Sequence, residues 1–383
     1  MKKYQRILAL LLSLMMIGAL MAGCGGQAAT DSNEIKIGAN LELTGGISTF
    51  GNSTLNGIKL AFKEVNEAGG IDGKKIILVS EDNKSEPAET ANAAKKLIEQ
   101  DQVVAIMGAV ASSNTLAAAP IAQAAGVPMI TATSTNPQVT ETGDFIFRTC
   151  FIDPFQGTVM SKFATNTLKA KTAAIFTDIT SDYSKGLTEV FKADFQKLGG
   201  KIVAAESYAQ KDTDYNAQLT KIKAANPDVV YVPGYYTEVG LIIKQARQLG
   251  LKQPFLGTDG WDSPKLTEIA GNATNNGYFS NHYSPDDQAP AIQDFVKKYK
   301  AEYNQVPDAL ATLGYEAGMI VADALKRAGK ADRQALRDAL AATKDFPATT
   351  GSITLDANRN PIKAAVIIEM KDGQQKFLEK VNP

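Results

Sequence analysis

Val103-Val104-Ala105-Ile106-Met107-Gly108-Ala109-Val110-Ala111-Ser112-Ser113-Asn114-Thr115 passes from unbroken aliphatic residues, through small ones, to hydroxyl and amide side chains. Five aliphatic residues in a row read as a strand buried on both faces, as in a parallel sheet. The polar end opens a helix that the pattern carries from Leu116 to Ala125, with Ser112 or Ser113 placed to cap it. Free N–H groups at such a helix start bind a carboxylate favourably.

Outward from this unit the pattern repeats. Ile35–Ala39, Lys75–Ser80, Val103–Gly108 and Pro128–Thr133 form one series of strand candidates. Thr172–Thr177, Ile202–Ser207, Val229–Pro233 and Phe255–Gly257 form a second, with the break near Thr149–Pro154. Amphipathic helices lie between them: Leu55, Ile58, Phe62 and Val65 stop at Gly69-Gly70, and Ala91, Ala94, Leu97 and Ile98 follow Pro87. The prediction is an α/β protein of two doubly wound parallel-sheet lobes. Ala289–Lys344 is nearly all helical and is expected to pack back on the first lobe, before late strands at Gly351–Leu355 and Ala364–Met370. The expected division is 34–152 with 284–358 in lobe 1 and 153–283 with 359–383 in lobe 2. A chain that crosses several times between lobes builds a hinge.

Composition removes whole classes of function. The 383 residues carry 40 Lys plus Arg against 41 Asp plus Glu, without a basic stripe, so nucleic acid is not an expected partner. Two cysteines, Cys24 and Cys150, and one histidine, His282, leave neither a Cys/His metal site nor a His-dependent triad. No phosphate-cradling glycine motif occurs, and no cofactor is expected.

At the amino terminus, Lys2, Lys3 and Arg6 precede an uncharged run to Gly23, which reads as an export signal over 1–23. Leu20-Met21-Ala22-Gly23-Cys24 resembles the lipobox of bacterial lipoproteins, whose cysteine carries diacylglycerol. The expectation is an extracytoplasmic protein, lipid-anchored to the cell membrane through Cys24, with 24–33 as a flexible tether. The competing reading is a secreted protein cleaved after Ala22 or Gly23 with an incidental cysteine.

Ligands of open parallel sheets sit beyond the carboxyl ends of the strands. Four polar corners stand there: Gly108–Thr115, Thr131–Pro137, Pro233–Glu238 and Gly257–Asp262. The second also fits ordinary turn chemistry. In the third, Tyr235 and Tyr236 set amphipathic rings where a core favours aliphatics. In the fourth, Asp259 is placed to pair with an amine, Asp262 to cap the helix after Ser263-Pro264, and Trp261 to pack. His282, outside all four corners, reads as a surface histidine.

Taken together and in this order, the corners resemble the periplasmic binding proteins for leucine, isoleucine and valine, the solute receptors of ABC importers. The likeness runs from Glu34 to Lys380, through Ile35-Lys36-Ile37-Gly38, Leu43-Thr44-Gly45, Gly57–Ala61, Asn66–Ile71, Ala132–Pro137, Gly234–Tyr236 and Gly257–Gly260. The resemblance implies a type I periplasmic binding protein fold. The protein would be a monomer that captures a branched-chain aliphatic amino acid and delivers it to permease subunits with their ATPases. It implies that the hydroxyls of Ser112 and Thr135 hold the α-carboxylate and α-amine, that Thr133 offers a backbone carbonyl to the amine, and that Asp259 is its acidic partner. Tyr183 and Tyr235 would be second-lobe aromatics and Phe50 a first-lobe wall. Two departures stand out: Asp259 is shorter than the family's glutamate, and Ser85 and Ala111 replace a disulfide. The family also takes other amino acids, amides and aromatic acids.

Two rivals remain at this point. A serine amidohydrolase with Ser112 as nucleophile lacks a placed histidine, and a ligand-sensing adaptor shares the fold.

Overall fold

The computed structural model describes residues 33–383. The signal at 1–23, Cys24 and all of the tether but Asn33 lie outside the described residues. Strands β1 (Glu34–Leu41), β2 (Lys75–Asp82), β3 (Ala105–Gly108), β4 (Met129–Thr131) and β5 (Ile146–Arg148) form a sheet in the order β2-β1-β3-β4-β5. Parallel registers set Ile37 against Ala105, Ile106 against Met129 and Met129 against Ile146. β3, β4 and β5 are buried at every residue, which is why they lack alternation.

A second sheet contains β6 (Thr172–Asp178), β7 (Lys201–Tyr208), β8 (Val229–Tyr231), β9 (Phe255–Gly257) and β10 (Gly277–Asn281). After the two-stranded β11 (Phe346–Ala348) and β12 (Gly351–Ile353), it is completed by β13 (Ala365–Lys371) and β14 (Gln374–Val381). Its order is β14-β13-β10-β9-β8-β6-β7. β13 runs antiparallel to both β10 and β14, so this sheet has an antiparallel edge that the parallel prediction lacked. The β13–β14 turn uses Asp372 and Gly373, both at positive φ (53° and 69°), the conformation of a tight hairpin.

The chain passes between the two layers around 149–153, 282–290 and 354–364. Between the second and third passages, the helix Ala309–Ala328 packs on the helix Ser48–Glu67 at unusually close range. A Cβ on Gly57 would lie 2.0 Å from Ala311 O, and one on Gly314 2.3 Å from Thr54 O. Only glycine permits this approach. Near the crossings, buried Lys363 donates to Glu316 Oε2 at 2.6 Å and to Thr149 O at 3.3 Å, tying the third passage to the first.

Candidate ligand-binding site

The corner after β3 is built around a residue that sequence reasoning passed over. Glu42, one residue beyond β1, is fully buried. Its carboxylate accepts from Val110 N and Ala111 N, each at 3.0 Å, and from Asn114 Nδ2 at 2.8 Å. Burial pushes its pKa above the ordinary glutamate value, against the pull of these donors. The expected serine cap is therefore wrong: Ala111 is the N-cap of the helix Ser112–Ala124, and neither serine bonds the helix start. Ser113 instead exchanges hydrogen bonds with Asp182 across the cleft, donating to Oδ2 at 3.0 Å and accepting from Asp182 N at 3.0 Å. Ser112 Oγ accepts only a long bond, 3.4 Å, from Asn136 N.

Arg148 shapes the second corner. Its buried guanidinium donates to Ser134 O and Asn136 O at 2.8 Å each and to Pro137 O at 3.1 Å. Thr131 Oγ1 accepts Thr133 N at 3.2 Å and Ser134 N at 2.9 Å. The loop is thereby fixed from behind, and the Thr135 hydroxyl is buried at its tip, beside the Asp153 carboxyl whose raised pKa it pulls down.

On the opposite side, Tyr235 is the N-cap residue of the helix Tyr236–Gln248. Its ring stacks on Tyr183 with centroids 5.1 Å apart, and Phe50 meets it edge-on at 6.2 Å. Tyr183 Oη donates to Asp259 Oδ1 at 2.6 Å, accepts from Gly260 N at 2.9 Å and lies 2.6 Å from Thr258 Oγ1. Gln156 Nε2 also donates to Asp259 Oδ1, at 3.0 Å, and shares its amide with Asp153, whose buried carboxyl is pushed up to about 7.

Phe50, Ser112, Thr133, Thr135, Tyr183, Tyr235 and Asp259 all border one cavity, with Val110, Gly260 and Leu310 completing the wall. Its volume is about 20 Å³, room for one water molecule. A larger cavity, about 840 Å³, follows the outer seam past Thr49, Asp262, Tyr283 and Asp308, but the small one is lined from all four polar corners, by Ser112, Thr135, Tyr235 and Asp259 among others.

Two expectations are corrected here. His282 is not a surface histidine: its side chain is 1% exposed, its Nε2 lies 3.0 Å from Asp259 Oδ2, and its ring stacks on Phe151 at 3.6 Å. Asp262 does not cap the next helix, because Ser263 does, accepting Lys265 N. Asp262 Oδ2 accepts Ala309 N at 2.8 Å and so anchors the start of a helix that packs on the first layer. Trp261 does pack, wholly buried, with its indole N–H donating to Val232 O at 3.0 Å.

The two layers meet directly beside the cavity. Thr49 Oγ1 lies 3.0 Å from Ser263 Oγ, Thr237 Oγ1 donates to Gly46 O at 2.7 Å, and Asn136 Nδ2 donates to Asp182 O at 2.9 Å. Among the described residues no three metal-ligating side chains cluster, and no helix is long and apolar enough to cross a membrane.

Two α/β layers closed on a small polar and aromatic cavity, with Ser112 facing an amide N–H rather than a base, define a solute receptor. The chain belongs to the periplasmic binding protein family, whose profile matches residues 34–375. It is 33% identical over 327 residues to the leucine-, isoleucine-, valine-, threonine- and alanine-binding protein of Pseudomonas aeruginosa, covering 85% of this chain and 86% of that one. Among solved structures, it is similar to the leucine binding protein LivK of Thermotoga maritima (TM-score 0.88, 42% identity, 91% of this chain and 99% of that one). It is also similar to the branched-chain amino acid transporter substrate binding protein LivJ of Streptococcus pneumoniae in complex with isoleucine (TM-score 0.87, 38% identity, 91% and 100% coverage). The class is extracytoplasmic and binds solutes without transforming them, and the fold is the type I arrangement that the resemblance implies.

Proposed function

We propose that this protein captures a branched-chain aliphatic L-amino acid outside the cytoplasm and hands it to the permease of an ABC importer. The proposed division into lobes is 34–152 with 284–358 and 153–283 with 359–383. The observation that carries the reading is Asp259: among the described residues its carboxylate is met by Gln156, Tyr183 and His282 and by no Lys or Arg, so its charge is left for a ligand amine. A zwitterion needs a partner for each charge, since an unpaired buried charge costs several kcal/mol.

In the proposed pose the ammonium meets Asp259, the Thr133 carbonyl and the Thr135 hydroxyl. The carboxylate meets the Ser112 hydroxyl and the first-turn N–H groups that Glu42 leaves free. The aliphatic side chain lies against Phe50, Tyr183 and Tyr235, gaining about 0.8 kcal/mol per buried CH₂. A micromolar receptor needs about 8 kcal/mol in total, so the charged partners must supply more than the apolar burial does. The Ser113–Asp182 and Thr49–Ser263 contacts bridge the two sides beside the cavity, so entry requires the lobes to part along them. Ligand that touches both sides then favours closure, and the closed form is the shape offered to the permease. Lipid on Cys24 holds the monomer at the membrane in this reading.

A thermal-shift screen over the twenty amino acids, small amides, aromatic acids and short peptides tests the assignment through ligand linkage. Leucine, isoleucine and valine are expected to raise the midpoint most. A shift from aromatic acids or amides with none from any amino acid would refute it.

A further inference from the structure

Asp259 is contacted from two directions. Tyr183 and Gln156 share its Oδ1, while its Oδ2 faces a single partner, His282 Nε2, at 3.0 Å. His282 sits in the second passage between the layers, immediately after β10, and its ring lies nearly parallel (22°) on Phe151 in the first passage. This stack fixes the imidazole plane from behind. Its Nδ1 is buried and has no hydrogen-bond partner.

Those facts assign the proton. Opposite a carboxylate, Nε2 carries the hydrogen, and Nδ1 is left as a bare buried lone pair, with the Lys363–Glu316 pair nearby. A protonated ring would place an N–H at Nδ1 with nothing to accept it, and burial accordingly holds the imidazole below its ordinary pKa despite the nearby carboxylate. The ring is a neutral donor.

We infer that His282 is a positioning and specificity-determining residue: as a neutral N–H donor braced on Phe151, it orients Asp259 and leaves its negative charge uncompensated, so the site selects ligands that carry a protonated amine. A cationic side chain in the same place would neutralise Asp259, and an apolar one would release Oδ2 to swing. This deepens the reading of Asp259 as the ammonium partner and rests on it.

The test compares leucine with its deaminated analogue, 4-methylpentanoate, by calorimetric titration of the wild type, His282→Gln and His282→Leu at neutral pH. Both variants are neutral and of similar bulk, but only glutamine keeps an N–H donor. The wild type is expected to prefer leucine by roughly 100-fold. His282→Gln should keep that ratio within about fivefold, and His282→Leu should reduce it by about tenfold or more, through leucine alone. A merely structural role would weaken both ligands together and leave the ratio unmoved, and that result overturns the inference. An unchanged ratio in His282→Leu overturns it too, while leaving the parent reading intact because the wild type still binds leucine. Failure of the wild type to bind leucine removes both.

Discussion

The backbone N–H of Ala111 donates to Oε1 of Glu42 at 3.0 Å, so the helix start that should attract a ligand carboxylate is already occupied by one from the protein itself. The buried acid fixes the loop between Gly108 and Ser112 and confines a second anion to the Ser112 side. Its neighbour Val110 N makes the same bond to Oε2 at 3.0 Å.

Replacing Glu42 with Gln turns one acceptor into a donor that faces an N–H. The expected cost is about 2 kcal/mol of stability, read by denaturant unfolding, together with weaker leucine binding. Unchanged stability would mean that the loop does not depend on this carboxylate.

Thr135→Val is expected to separate binding from folding. The hydroxyl faces the buried Asp153 carboxyl and pulls its raised pKa down, so losing it costs the unliganded fold about 1 kcal/mol, while a ligand loses a hydrogen bond as well. The unliganded melting temperature should fall by no more than a few degrees, and the Kd for leucine should increase about tenfold. A destabilised but normally binding variant would place Thr135 in the scaffold instead.

Asp259→Ala and Asp262→Ala should fail in different ways. The first removes the proposed ammonium partner and should raise the Kd by roughly 100-fold or more. The second leaves Ala309 N without its acceptor and should lower stability by about 2 kcal/mol with a much smaller effect on Kd. Equal effects on Kd would remove Asp259 from its role.

Stability should also respond to pH through Asp308. Burial first, and then the neighbouring Asp262 charge, push its pKa up to about 7. Between about 4 and 7 the folded form therefore holds a proton that the unfolded chain has released, and this group's contribution falls as pH rises through that window. Asp308→Asn keeps the cap on Ala311 N and removes the titration. The melting temperature of the variant relative to wild type should rise by a few degrees from pH 5 to pH 8. A constant difference would contradict the assignment.

What could be read from the sequence follows from burial geometry. Strands β3, β8 and β9 are covered on both faces and appear as apolar runs, and the corners beyond them hold Ser112, Tyr235 and Asp259, while Thr133 and Thr135 follow β4 and Phe50 and Tyr183 stand on helices. β5 is only three residues long, and β14 alternates partly exposed and exposed positions on an outer edge, so neither carries a strong pattern. Asp372-Gly373 was a hairpin signal that the sequence offered and the reading missed. Glu42 and Arg148 give little local sign of a role, and His282 reads as surface, because a lone ionisable residue does not announce its burial, whereas each is buried by partners distant in sequence: Ala111, Asn360 and Asp259. The apolar flanks Leu41 and Leu43 were the one local hint at Glu42.

Leucine titrated calorimetrically into the protein freed of residues 1–23, with the ligand then recovered and identified, tests most directly whether this cavity is a receptor. The account predicts one leucine per chain, bound with a Kd of micromolar order, and returned unaltered. Absence of binding at about 1 mM leucine, or recovery of a chemically changed product, would contradict it.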